Sequence, residues 1–166
     1  MEIRAVTLED AEAIANIRRQ DGVREGVLAL SSDRLEVTAG FIRSLTEQDR
    51  AFVAVREGTA VGFAVLLSYK EEGRRHCATV AVMVDRDFQQ RGVGHMLMKR
   101  LVDCADNELK LHRLELLVLT DNEKAIRLYK NYGFMIEATR KNAAVVGGKF
   151  VNEYVMGRLR GEGTKE

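Results

Sequence analysis

The 166-residue chain contains no proline, so its turns must be made by Gly, Asn, Asp and Ser. It has only two cysteines, Cys77 and Cys104, with no Cys-x-x-Cys or Cys/His ligand spacing around them. That pattern argues against a structural zinc site and leaves two buried free thiols in a reducing cytosol as the expectation. No apolar run approaches the ~18 residues of a transmembrane helix. The opening, MEIRAVTLEDAEAI, lacks the apolar segment of a signal peptide. The chain is therefore expected in the cytoplasm, away from membranes. Neither sign of charge is in excess, with 26 basic and 25 acidic residues, which argues against a nucleic-acid partner. No repeat or low-complexity tract interrupts the chain. Residues 1–160 read as one domain, large enough to bury a core unaided, and GEGTKE, residues 161–166, reads as a flexible tail.

What is present is a regular alternation of elements. Ile3 to Val6 reads as a strand. Thr7 and Asp10 resemble a capping box opening a helix through about Arg19, with Leu8, Ala11, Ile14, Ala15 and Ile17 inward. Residues 20–31 read as irregular. A second helix is expected over Asp33 to Leu45, with Leu35, Ala39, Ile42 and Leu45 inward. Ala51–Val55 and Val61–Ser68 read as a hairpin turned at Arg56-Glu57-Gly58-Thr59. A further strand spans Cys77 to Val84. A helix follows over Gly92 to Asn107, with Val93, Leu97, Leu101 and Ala105 on one face. Leu114–Leu119 is a strand, and Asp121 or Asn122 caps a helix through Tyr132 that stops at Gly133. Phe134–Ala138 and Phe150–Leu159 are the last strands, turned at Gly147-Gly148. This order predicts an α/β or α+β sheet of mixed direction. The strands near residues 80 and 116 should be parallel neighbours through a right-handed helical crossover.

QQRGVG, Gln89 to Gly94, follows a strand and opens a helix. Unpaired N–H groups and the dipole at a helix N-terminus suit a phosphate, and Gly92 and Gly94 remove two Cβ atoms from its approach. Arg91 adds charge at the rim. No Walker lysine follows, and the spacing is not that of a dinucleotide fingerprint. Taken alone, the loop is equally a helix start that needs glycine for packing.

Its surroundings favour the anion. VAVMVDRDFQQRGVGHMLMKRLV, Val80 to Val102, resembles the acetyl-CoA signature of the GNAT superfamily of N-acetyltransferases, through Val82, Val84, Phe88, Gln89, Gly92 and Gly94. HRLELLVLTDNEKAIRLYKNYGF, His112 to Phe134, resembles the later strand–helix unit of that family, through Asn122, Ala125, Leu128, Tyr129, Gly133 and Phe134. Asp85-Arg86 departs from a frequent x-Pro. The resemblance spans nearly the whole chain and is weakest between residues 18 and 50. It implies the GNAT fold: a mostly antiparallel mixed sheet, a splayed parallel strand pair and about four helices.

The resemblance also implies site residues. Val82, Met83 and Val84 would pair through their backbone with the pantetheine arm of acetyl-CoA, and the Val82 N–H would stabilise an oxyanion, worth on the order of 3 kcal/mol. Backbone N–H groups among Gln89, Gln90, Arg91, Gly92, Val93, Gly94 and His95 would hold the pyrophosphate. Asn122 would bond the pantetheine, or is simply a helix cap. Tyr129 would be the general acid for the thiolate, although it also lies on an apolar stripe with Ala125, Leu128 and Tyr132. The family's strand glutamate is replaced by Leu117. Glu115, two residues earlier and on the same strand face, is the candidate base, acting directly or through water, with Asp85, Glu153 and Tyr154 as alternatives. No metal is implied. A general base matters because only about one in 10³ of lysine-like amines is unprotonated at pH 7.

EATRKNAAVVGGKFVNEYVMGRL, Glu137 to Leu159, resembles the branch holding spermidine, ribosomal-protein alanine and YhhY-type amino-acid acetyltransferases. Glu137, Arg140, Gly148, Asn152 and Met156 carry that likeness, and Ala138 replaces a usual Gly. It implies a free amino acid or small amine as acceptor. Arg18, Arg19 and Arg24, with Glu25, fall in the expected acceptor segment, where an arginine could pair with a carboxylate or simply be solvated. Protein N-terminal acetylation, an acyl-CoA sensor without turnover, and a nucleotide-binding regulator remain as alternatives. A homodimer is implied by analogy with the family alone.

Overall fold

The computed structural model of the chain describes residues 1–24 and 34–161. The expectations for Glu25, for Asp33 and for the tail after Gly161 lie outside the described residues. Seven strands form one sheet: β1 (Glu2–Ala5), β2 (Arg50–Arg56), β3 (Thr59–Ser68), β4 (Cys77–Val84), β5 (Arg113–Leu119), β6 (Met135–Val146) and β7 (Lys149–Leu159). Their order is β1-β2-β3-β4-β5-β7-β6, antiparallel throughout except for the β4–β5 pair. Helices α1 (Ala11–Arg19), α2 (Leu35–Ser44), α3 (Val93–Asp103) and α4 (Glu123–Asn131) complete the fold. None of the described helices is long and apolar enough to cross a membrane.

Apart from Thr79, the strand CATVAVMV is apolar on both faces because β4 is covered on both. Ala78, Val80, Val82 and Val84 pack toward α3 and α4, while Ala81 and Met83 pack toward α1 and α2. Val93, Leu97, Leu101 and Ala105 are all buried against the sheet. Leu97 and Leu101 expose nothing, and each contributes about 2 kcal/mol of burial. Beyond β4 the cover becomes one-sided. Leu114, Leu116 and Val118 of β5 and Met156 of β7 meet the α3–α4 core, but the opposite side of β5 carries Glu115 and a Leu117 that is 44% exposed.

Three local expectations are corrected. The first helix begins only at Ala11, after a 3-10 turn at Leu8–Asp10, which leaves Leu8 exposed rather than inward. On α2, Ile42 and Leu45 pack inward as expected, but Thr38 and Phe41 turn inward with them, while Leu35 is exposed. Phe41 meets Phe63 edge-on at 6.5 Å. The long helix from Gly92 is α-helical only to Asp103 and then widens into a π turn, where Leu109 N–H donates to the Cys104 carbonyl at 3.0 Å.

Two Thr-x-x-Asp corners lock the chain as it leaves β1 and enters β2. Asp10 accepts from the Thr7 N–H (2.8 Å) and from both Arg4 guanidinium nitrogens (2.8 Å each). Asp49 accepts from the Thr46 N–H (2.9 Å), the Ser68 N–H (3.0 Å) and Lys70 Nζ (2.8 Å). Burial alone would push both carboxyls up, but these bonds outweigh it and hold both below the usual carboxylate range. Stability from groups lowered in the folded state is present above the unfolded value of ~3.9 and is lost as pH falls through the folded values. Asp10→Asn and Asp49→Asn should each cost about 1–3 kcal/mol near neutral pH and flatten the acid limb of stability below about pH 4. Urea unfolding between pH 7 and 3 measures both, and an unchanged acid slope in the double variant would refute the assignment.

Candidate active site

Pairing between β4 and β5 covers only Cys77–Arg113, Ala78–Leu114 and Thr79–Glu115. Past that point the strands part, while β4 stays paired to β3 through Val84. Alternate residues of Val80–Val84 therefore direct N–H and C=O groups into a gap across which, among the described residues, no strand pairs with them. One cavity of about 590 Å³ lies along this edge, and its wall includes Val82, Met83, Val84, Asn122 and Tyr129. A second, of about 570 Å³, lies in the gap on the β5 side, on the face that carries Glu115 and Leu117. Val82 and Tyr129 line both.

The loop from β4 to α3 is built to present backbone donors. Asp85 caps a short turn by accepting from the Asp87 N–H (2.8 Å), and Gln89 Nε2 donates back to the Val84 carbonyl (3.2 Å). Gln90 and Gly92 both take positive φ, 60° and 82°. The first α3 N–H with a carbonyl four residues behind it is that of Met96, donating to Gly92 at 3.0 Å. The N–H groups of Val93, Gly94 and His95 thus stand at the helix mouth without such a partner. Gly92 is required by its φ, since a Cβ there would meet open space; at Gly94 a Cβ would crowd Leu128 at 3.2 Å. Lys124 and Arg127, neither singled out from the sequence, line the same cavity. Their spacing from Asn122 on α4 was the available signal. Arg91 instead lies over the Phe88 ring at 5.5 Å. A helix mouth, an unpaired strand edge and two cations together fit an extended, phosphorylated thioester.

Asn122 does cap α4, accepting from the Ala125 N–H at 3.3 Å, which leaves its NH₂ group available to the cavity. Tyr129 is buried and edge-on to Phe134 at 6.0 Å. Among the described residues its hydroxyl has no hydrogen-bond partner, and burial pushes the phenol up to about 12. Tyr132 joins the two helices by donating from its hydroxyl to the His95 carbonyl at 2.8 Å. Asp85 also holds α1, accepting from Gln20 Nε2 at 3.0 Å.

Glu115 lies at the closed end of the gap, opposite Thr79. That is three residues along the strand from Val82, or about 10 Å. Its carboxylate accepts from the Tyr69 hydroxyl and from Arg113 (3.0 and 3.1 Å). The bond to Glu115 raises the Tyr69 phenol. Arg113 also grips Glu137 (2.9 Å), which raises the guanidinium pKa and lowers that of Glu137. The second cavity contains one more carboxylate, Glu153, paired with Arg140 at 2.9 Å.

Residues 14–134 match the model of the acetyltransferase (GNAT) family. An L-amino acid N-acetyltransferase, AaaT of Escherichia coli K12, is 37% identical over 67% of this chain and 68% of its own length. The N-alpha-acetyltransferase RimI of Mycobacterium tuberculosis is 29% identical over 96% of this chain and 93% of its own. The solved structure of a GNAT superfamily phosphinothricin acetyltransferase from Sinorhizobium meliloti, in complex with acetyl-CoA, has the same fold, with a TM-score of 0.84 at 20% identity over 99% of this chain and 91% of that one. The chain belongs to the acetyltransferase (GNAT) family and is an N-acetyltransferase.

Proposed function

We propose that the protein transfers the acetyl group of acetyl-CoA directly to the amine of a small molecule, an amino acid or a related amine. Val82 and Tyr129 form a wall common to both cavities, and that shared wall supports a donor arriving along one cavity and an acceptor along the other. The similarity to an amino-acid acetyltransferase supports the acceptor class.

The cofactor supplies an activated thioester; the chain supplies the rest. The N–H groups of Val93 to His95 meet phosphate oxygens at the positive end of α3, and Lys124 and Arg127 add charge. The free edge of Val82–Val84 aligns an extended arm as an added strand would. The Val82 N–H faces developing negative charge on the carbonyl oxygen, and Asn122 fixes the arm with its NH₂ group. Tyr129 holds a proton at its hydroxyl for the departing sulfur. Against a free thiol at ~8.5 that transfer is about 5 kcal/mol uphill, but a thiolate in the same low-dielectric surroundings gains proton affinity too. Glu115, engaged by Arg113 and Tyr69, receives the amine proton through water rather than by contact.

Acetylation of a protein N-terminus is the second reading, favoured by the likeness to RimI along nearly the whole chain. Thiol release from acetyl-CoA across amino acids, polyamines and N-terminal peptides separates the two. Amino acids should turn over with the highest kcat/KM, and a preference for peptides would replace the first reading with the second. Tyr129→Phe should lower kcat at least tenfold with little change in acetyl-CoA affinity, and Glu115→Gln should lower kcat/KM most at low pH. Undiminished rates would remove each role. Gly92→Val should weaken acetyl-CoA binding at least tenfold by calorimetry, because a β-branched residue resists this φ. Gly92→Asn, which tolerates it, should bind more tightly than the valine variant; equal losses would show that φ is not the reason for the glycine.

A further inference from the structure

Resting on the amino-acid reading above, we propose that Arg140 and Glu153 recognise the acceptor as a zwitterion. Glu153 holds its ammonium group and Arg140 its carboxylate, so that an apolar α-amino acid enters the second cavity amine first.

The two side chains are cross-strand partners, Arg140 on β6 opposite Glu153 on β7, and both line the cavity in the gap. They differ in depth. The Arg140 side chain is 55% exposed and that of Glu153 only 9%, so the pair runs from the rim toward the interior with its negative end innermost. That polarity suits an amine that must reach the wall formed by Val82 and Tyr129. Among the described residues lining the cavity, Arg140 is the only cation. The other carboxylate, Glu115, is already bound by Tyr69 and Arg113. Glu153 has Arg140 as its one partner among the described residues, which leaves lone pairs for a further donor.

A buried ion that loses its partner is costly, whereas an exchange of partners leaves no charge uncompensated. A zwitterion slipped between Arg140 and Glu153 makes that exchange. A polyamine or a peptide N-terminus has no carboxylate beside its amine and can satisfy only Glu153. Leu117, Leu119 and Val155 line the same space and offer an apolar wall to the amino-acid side chain.

The test compares L-leucine with L-leucinamide, which lacks the carboxylate, in the wild-type protein and in Arg140→Gln. The substitution should lower kcat/KM for leucine about tenfold or more beyond its effect on leucinamide, the scale of one charged hydrogen-bonded contact. Calorimetric binding of leucine to the coenzyme A-loaded protein should weaken by a similar factor. Glu153→Gln should weaken both acceptors alike. A wild-type preference for leucine that survives Arg140→Gln, or unweakened leucine binding, overturns the proposal and leaves the amino-acid reading standing. A wild-type protein that prefers leucinamide or a polyamine overturns both.

Discussion

Hydrogen bonding between β4 and β5 lasts for three residue pairs and then stops, and the site is made from what is left over. Every other β4 residue beyond Thr79 has backbone groups that no strand satisfies among the described residues. In a sheet interior such groups are costly unless something pairs with them. A ligand with an extended amide backbone is a natural partner, so this gap is at once a defect in the sheet and a template. The flanking features make sense around it. The loop to α3 ends in a helix mouth beside the gap, α4 brings Asn122 and Tyr129 to it, and the uncovered face of β5, β7 and β6 keeps its far side open.

Stability and function draw on different halves of the sheet. The β1–β4 half has helices on both faces, and its two Thr-x-x-Asp corners hold buried carboxylates in full sets of hydrogen bonds. That half resembles an ordinary core. Among the described residues, the β5–β7–β6 half has helices on one face only, and its other face carries charge pairs: Arg113 with Glu115 and Glu137, and Arg140 with Glu153. These pairs fix the strands' edges and shape a cavity whose polarity the core could not tolerate. The half covered on both faces positions the helix mouth, and the open half can be lined with polar groups.

Much of this was legible in the sequence, and the gaps have physical causes. The bounds of β4 were readable because covering both faces yields a continuous apolar run closed by turn residues. The loop and α4 were readable through short motifs with fixed spacing. The full length of β6 was not, since its residues are exposed along most of both faces and Thr139 to Asn142 shows no alternation. Leu8 and Leu35 read as inward because apolar periodicity cannot tell where a helix starts or which way it is turned against its neighbours. The second cavity was the least visible feature. Its walls come from four strands, β4 to β7, with Tyr69 and Tyr129 added from outside them, and no local pattern brings Tyr69, Glu115, Arg140 and Glu153 together. Glu115 stood out because it is near a motif, but only the register with Thr79 shows how far along the strand it sits from Val82.

The sheet separates the helix-mouth cavity from the charged one, with Val82 and Tyr129 as the common boundary. Apart from β4, which lines both, the two sets of side chains come mainly from different parts of the chain: one from the β4–α3 loop and α4, the other from β5 and the C-terminal hairpin. Sites that share few contacts change nearly independently. The hairpin can therefore drift through successive substitutions, exchanging one amine for another, while the donor loop stays as it is. A slot through a sheet gives this architecture a division of evolutionary labour that a single pocket holding both reactants would lack.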